Sequence, residues 1–303
     1  MDDQSFAFPD FPLQRIRFIA GSLGLHWPQY AGGILRGGFG MALRRVSPPA
    51  WDELFGREQG DSLFVPYMLV PPRHPAGECA AGERFEFELR LFGNAVRHYS
   101  ACREALALLG KLGLGRERGQ FVLLGAANVR PDQAAVVDTT GGTWENPARL
   151  QPSGFARDWL APVDGPVDAV SIVLETPLRL KHAGHLLGRA PSFGELWCRL
   201  HARITLAAGG AVLDRDTRRA MDEQAAAVMA GMQAVRWQDW TRYSARQGTE
   251  MKFGGLTGQL DYRGNLSPFL PWLNLGSALG LGGKTTFGLG CYRLQSGAGT
   301  KIA

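Results

Sequence analysis

Residues 84–91 alternate without a break: Phe85, Phe87, Leu89 and Leu91 fall on one side, Arg84, Glu86, Glu88 and Arg90 on the other. A period of two belongs to a strand, and this one predicts an apolar face on a core and a charged face toward water. Its neighbours fall into place around it. Residues 14–20 read as an earlier strand, and residues 63–70 as one that stops at Pro71-Pro72. Residues 30–46 read as a helix, because Leu35, Phe39 and Leu43 recur at i, i+4 and i+8. Its glycines are costly in a helix and call for close packing or close approach of a ligand. Residues 94–112 read as a second helix, ended by Gly113 and Gly115, and residues 121–124 as a returning strand. Strand, helix, strand, strand, helix, strand is the ferredoxin-like order.

Residues 158–166, with two prolines and a glycine, read as a linker. A second round then starts. Residues 169–175 are expected as a strand, 193–208 as a helix, 253–262 as a hairpin arm, 267–279 as a short helix and 287–294 as the closing strand. Between them, Met221, Ala225, Val228, Met229 and Met232 form an apolar stripe that predicts an amphipathic helix over 216–235. The fold class is therefore α+β: two tandem ferredoxin-like domains, 1–160 and 161–303, the second with a helical insertion near 213–235.

The length of 303 residues suits two domains. No stretch is long and apolar enough to span a bilayer, and the first residues lack a signal peptide's basic start and apolar run. Cytoplasmic residence is the expectation. Cys79, Cys102, Cys198 and Cys291 are scattered with no CxxC pair, which points to buried thiols and to no zinc or redox motif. His182 and His185 are spaced closely enough to chelate a metal, but no HExxH motif surrounds them, and no metal or cofactor is assigned.

The net charge of +5 is unevenly spread. Residues 11–46 hold five arginines and no acid; residues 236–303 hold eight basic residues and three acids. If the fold joins those segments, they form one basic face, the footprint of a nucleic-acid binder. The second segment also carries a glycine-rich run, Gly282-Gly283-Lys284-Thr285-Thr286-Phe287-Gly288-Leu289-Gly290. Successive backbone N–H groups in such a loop make an anion-binding concavity. It is not a P-loop: the first glycine of that motif falls on Ala278.

Several of these segments together resemble one family. The run from Tyr30 to Arg45 (Tyr-Ala-Gly-Gly-Ile-Leu-Arg-Gly-Gly-Phe-Gly-Met-Ala-Leu-Arg-Arg) is similar to its N-terminal motif. Leu91-Phe-Gly-Asn-Ala, Glu175-Thr-Pro-Leu-Arg-Leu-Lys181 and Asp239-Trp-Thr-Arg-Tyr-Ser-Ala-Arg-Gln247 are similar to its middle motifs, and the glycine-rich loop completes the series. The family is the CRISPR-associated repeat-processing endoribonucleases of the RAMP superfamily, and the resemblance runs from about Pro12 to Leu294. It implies two ferredoxin-like, RRM-related domains that bind the repeat of a CRISPR precursor transcript and cut once per repeat. It implies cleavage without a metal: the ribose 2′-hydroxyl attacks the adjacent phosphate, leaving a 2′,3′-cyclic phosphate and a 5′-hydroxyl. Its partners are repeat RNA, the mature guide RNA and other CRISPR effector-complex subunits.

That reaction needs a base, an acid and cations that stabilise the transition state. The family commonly places a His, Tyr or Lys at or near the first helix, and this helix has no His and no Lys. The candidates are His26 just before it, Tyr30 at its start, and Arg36 on it, which suits charge stabilisation but is too basic to take a proton. His26 reads equally well as a surface histidine. For RNA binding the candidates are Arg44, Arg45, Arg242, Arg246 and Lys284, with Tyr243 to stack on a base and Gly282, Gly283, Gly288 and Gly290 against the RNA backbone. Arg44 and Arg45 also suit a helix C-terminus with no ligand, and Arg242 suits a bridge to Asp239. A non-catalytic RAMP subunit that only holds guide RNA stays open, as does a general single-strand RNA binder, which the lack of an RNP motif disfavours.

Overall fold

The computed structural model describes residues 10–56, 64–131, 144–160, 165–244 and 249–296. The first half holds strands β1 (Leu13–Ser22), β2 (Tyr67–Val70), β3 (Arg84–Phe92) and β4 (Phe121–Asn128). They form an antiparallel sheet in the order β2-β3-β1-β4. Helices α1 (Gly32–Val46), α2 (Pro48–Phe55) and α3 (Tyr99–Leu112) complete this half. Leu35, Phe39 and Leu43 of α1 and Leu106 and Leu109 of α3 join Phe85, Phe87, Leu89 and Leu91 of β3 in one buried cluster. Those are the apolar positions of the alternating strand and the helix stripe.

The second half repeats the plan. It holds β5 (Ala169–Leu178), α4 (Phe193–Ala208), α5 (Arg215–Ala227), β6 (Ala234–Ser244), β7 (Thr249–Arg263), α6 (Leu270–Leu279) and β8 (Tyr292–Ser296). Strand β5 lies between β7 and β8, and β6 pairs with the outer edge of β7. Both sheets thus have the ferredoxin-like order, with the first strand of each half between the third and the fourth. α4 begins at a capping box: Ser192 accepts from the Glu195 N–H, and Glu195 accepts from the Ser192 N–H. Among the described residues no helix is long and apolar enough to cross a membrane.

Three expectations change. The helix expected over 216–235 ends at Ala227; Met229 and Ala230 pair with Arg263 and Tyr262 of β7, and the chain continues as β6. Met221 and Ala225 are buried, but Met229 and Met232 are 67% and 84% exposed. The sheet edge of β7 offers a full ladder of partners, and it outweighs a continued apolar period. The closing strand starts at Tyr292 rather than Phe287, after a 3₁₀ turn at Thr285–Phe287. Finally, the charged face of β3 is not all toward water. Glu88 and Arg90 are buried, together with Arg15 of β1.

That burial is made by the second half of the chain. Glu88 accepts from Arg15 and from Arg90, whose Nε lies 2.9 Å from Glu88 Oε1. Arg90 also donates to the carbonyls of Ser277 (2.7 Å) and Ala278 (2.8 Å) at the C-terminal end of α6. Arg203 of α4 donates to the next carbonyl, that of Leu279. Carbonyls at a helix C-terminus lack intrahelical donors and carry partial negative charge, so two arginines satisfy both needs. Burial pushes the Glu88 carboxyl up, but Arg15 and Arg90 more than offset this and hold it far below its usual range.

Candidate nucleic-acid interface

The segment 282–290 folds back onto the first half. Phe287 packs with Trp240, Phe253 and Leu289 in a small cluster to which Tyr30 adds its ring. The Tyr30 hydroxyl donates to the Phe287 carbonyl at 2.8 Å. A Cβ on Gly32 would stand 2.1 Å from that same carbonyl, so no larger residue fits the first turn of α1 without moving the loop. Gly288 has φ of +78°, and a Cβ there would meet Pro71 at 2.3 Å and the Leu69 carbonyl at 2.7 Å. These glycines are explained by backbone packing between the two halves.

The predicted loop glycines separate into two groups. Gly288 and Gly290 are buried, whereas Gly283 and Lys284 are exposed at the tip, with Gly282 partly covered beside the Arg179 carbonyl. The N–H groups of Gly283, Phe287, Gly288 and Gly290 bond carbonyls of Arg179, Lys284, Thr285 and Pro177. The anion-binding argument therefore narrows to the tip and its lysine. Lys284 holds φ of +61° and ψ of +31°, a left-handed conformation that disfavours any side chain but is adopted readily by glycine.

Arg36 is beside the same loop. Its Nε donates to Thr286 Oγ1 at 3.2 Å, and its guanidinium carbon stands 4.5 Å from the centre of the Phe287 ring and 5.1 Å from that of Phe55. The half-buried side chain is thus fixed in direction by a hydrogen bond and two rings. Arg44 and Arg45 extend from the last turn of α1, both exposed, with Arg44 over the Trp51 ring. Helix α1 thus carries Arg36 in its second turn and Arg44 and Arg45 in its last, while the remaining arginines of the basic N-terminal segment are engaged elsewhere. Arg15 pairs with Glu88, and Arg17 lies 3.8 Å from Glu86.

The structure does not gather every predicted residue. His26 is exposed on the short strand Leu25–Trp27, opposite Glu78. None of the contacts given above for Tyr30 and Arg36 involves it. Tyr30 has its hydroxyl committed to Phe287, and burial pushes the phenol well above its ordinary value, with a smaller contribution from Cys291, so it stays protonated. Arg242 and Tyr243 lie near the end of β6, paired through their backbones with Met251 and Glu250. Arg246 lies outside the described residues. Asp239, the proposed partner of Arg242, accepts from the Trp237 indole at 2.7 Å. His182 and His185 face each other across a two-residue hairpin, and His182 turns to Glu195 at 3.3 Å.

Residues not anticipated from the sequence pack into these contacts. Arg179 donates to the Gly254 carbonyl and lies over the Phe253 ring, and burial lowers its pKa. Trp240, Phe253 and Thr286 are the others. Trp240 stood within the Asp239–Gln247 motif, so its position was visible, but its packing partner Tyr30 is 210 residues away in sequence.

Comparison with known proteins follows the same division of the chain. Residues 172–292 match a family model described as CRISPR-associated endoribonuclease Cas6. Residues 47–149 match a model described only as an N-terminal domain. No curated protein matches the sequence. Among solved structures, a Thermus thermophilus Cas6, described as a product complex, is 16% identical and covers 94% of this chain and 99% of its own, with a TM-score of 0.61. A protein described as a RAMP protein binding different RNA substrates is 11% identical and covers 93% of this chain and 100% of its own, with a TM-score of 0.54. At such identities the likeness is one of fold. The family-model match over 172–292 spans less than half of the chain, and it agrees there with the resemblance to CRISPR repeat-processing endoribonucleases. In general terms it supports endoribonuclease activity on, or binding of, CRISPR RNA.

Proposed function

We propose that this chain, a Cas6-type protein by family match and fold, cuts precursor CRISPR RNA within its repeats and needs no metal to do so. The ribose 2′-hydroxyl attacks the adjacent phosphate, and the products are a 2′,3′-cyclic phosphate and a 5′-hydroxyl. The observation that carries this reading is that the Arg36 guanidinium is held on Thr286 and Phe287 of the loop whose tip exposes Gly283 and Lys284, so each half of the chain contributes a cation to this loop. In this reading Arg36 stabilises the charge that develops on the phosphorane, and Lys284 binds a phosphate. Tyr30 positions the loop through Phe287, and His26 is the candidate base. Arg44, Arg45, Arg242 and Arg246 follow the RNA backbone, and Tyr243 stacks on a base.

A second reading keeps the RNA and drops the chemistry: the chain holds guide RNA and another protein cuts. The commitment of the Tyr30 hydroxyl to Phe287 favours it, since no histidine or lysine on α1 replaces it. Either way the partners are CRISPR RNA and other Cas proteins; a solved chain with a similar fold over 98% of this one is described as part of a Cas6-RT-Cas1–Cas2 complex. The test is repeat RNA incubated with the protein in EDTA, beside a substrate with one 2′-deoxy group at the mapped cut. One cut per repeat, abolished by the deoxy group, supports the first reading. Tight binding without a cut in EDTA or magnesium supports the second.

A further inference from the structure

The short strands Leu25–Trp27 and Gly77–Cys79 pair as a small ribbon. A ring nitrogen of His74, the sulfur of Cys79 and a carboxylate oxygen of Glu83 lie within 4.8 Å of one another beside it. Cys79 is fully buried, His74 half-buried and Glu83 exposed, so the group opens to solvent on one side only. Imidazole, thiolate and carboxylate together are a set that suits zinc, whereas magnesium and calcium take oxygen ligands.

Three details of the surroundings fit a cation. His74 Nδ1 lies 2.9 Å from the Pro75 carbonyl, which can only accept; the proton is therefore on Nδ1, and Nε2 carries a free lone pair. That is the arrangement in which the other ring nitrogen binds a metal. Glu83 gives one oxygen to the Ala80 N–H at 2.9 Å, which fixes the carboxylate and leaves its second oxygen. The Trp27 indole N–H is buried without a hydrogen-bond partner, although Trp27 is 1% exposed and its ring stands 6.3 Å from that of His74. A neutral thiol is a weak acceptor for it, and a metal-bound thiolate is a stronger one.

We propose that His74, Cys79 and Glu83 are the ligands of a zinc ion, with water in the fourth position, that ties the segment after Pro72 to the ribbon. Binding replaces the Cys79 proton, which leaves to solvent, and the sulfur then bonds the metal. Tetrahedral bonds of roughly 2.0–2.3 Å put ligand atoms about 3.5 Å apart, so modest side-chain rotation closes the site. The role is local rigidity, separate from the RNA chemistry. It nonetheless bears on it, because the strand Leu25–Trp27 holds His26.

The probe is the metal itself. Protein purified without chelator is assayed for zinc by elemental analysis; metal-free protein is titrated with zinc, with magnesium as control, and with cobalt for its optical spectrum. The expected results are about one zinc per chain, no response to magnesium, and a sulfur-to-cobalt charge-transfer band. Cys79→Ser removes the band, and Glu83→Gln, which keeps an oxygen for the Ala80 N–H, weakens zinc binding at least tenfold with an unchanged circular-dichroism spectrum. Absence of stoichiometric zinc and of the cobalt band in the wild type overturns the site, as does wild-type zinc affinity in both variants. RNA cleavage lost in EDTA and equally lost in Cys79→Ser without chelator assigns the loss to this site rather than to a catalytic metal.

Discussion

Arg36 touches the loop that carries Lys284, but the two cations are held very differently, and that difference predicts different defects. Arg36 is clamped by Thr286 and two rings, and a preoriented cation acts most on charge that develops during the reaction. Arg36→Ala is expected to slow single-turnover cleavage by about 100-fold or more with affinity changed less than about fivefold, a loss of the size seen when one oriented donor is removed. Lys284 is exposed on a free tip. Lys284→Gly keeps the left-handed turn, removes one charge, and is expected to weaken RNA binding and flatten its salt dependence by about one phosphate contact. Filter binding at several salt concentrations, beside cleavage at saturating enzyme, separates the two; equal losses of both quantities in both variants would sink the division. His26→Ala is expected to cut slowly at near-normal affinity, and full activity in that variant removes it from the site. The arginine and lysine candidates were legible because charge type and loop chemistry are local properties. The engagement of Tyr30 was not, because a hydroxyl's partner depends on which carbonyl the fold delivers, here that of Phe287.

At the scale of elements, the strands and helices that sequence reading placed best are those whose pattern and boundary signals agree. α4 was read at its full extent because Ser192 and Glu195 cap its start and Gly209 takes a left-handed φ of +77° at its end. α5 was read too long because nothing in its own composition stops it; the stop comes from β7, which pairs with Met229 and Ala230. The insertion is attached to α4 by its own polar contacts. Arg218 meets His201 Nδ1, and the Trp197 indole donates to Asp222 at 2.8 Å. Burial, and then Arg218, lower the His201 pKa to about 4, with Asp222 acting the other way. The unfolded histidine titrates near 6.5, so between those values the unfolded chain binds the extra proton and the folded chain does not. Stability is full above about pH 6.5 and falls as pH drops toward 4. His201→Phe is expected to flatten that slope in urea unfolding between pH 7 and pH 4; an unchanged slope would show that His201 is not its source.

For the whole molecule, the decisive feature is that the two halves share buried polar groups as well as apolar ones. The alternation of residues 84–91 announced a strand but could not say that its charged side would be covered, since the cover is α6, nearly two hundred residues later. Charge was the clue misread: Glu88 and Arg90 look solvated in sequence and are instead one buried network with Arg15. Breaking such a network by removing one partner costs about 3–5 kcal/mol, more than replacing the whole of it by apolar residues, because the partners left behind stay buried and charged. Arg90→Met leaves Glu88 with Arg15 alone and strips the Ser277 and Ala278 carbonyls of their donor. It is therefore expected to lower the unfolding free energy by about 3 kcal/mol or more. The proposed RNA surface depends on the same docking, since Gly32 and Gly288 meet the opposite half through Phe287 and Leu69. If the halves are one cooperative unit, Arg90→Met shifts a single urea transition to lower midpoint, and RNA affinity is lost along that same curve. Two separated transitions, with RNA binding lost in the first, would instead show that the halves unfold independently and that the interface between them is the weaker part.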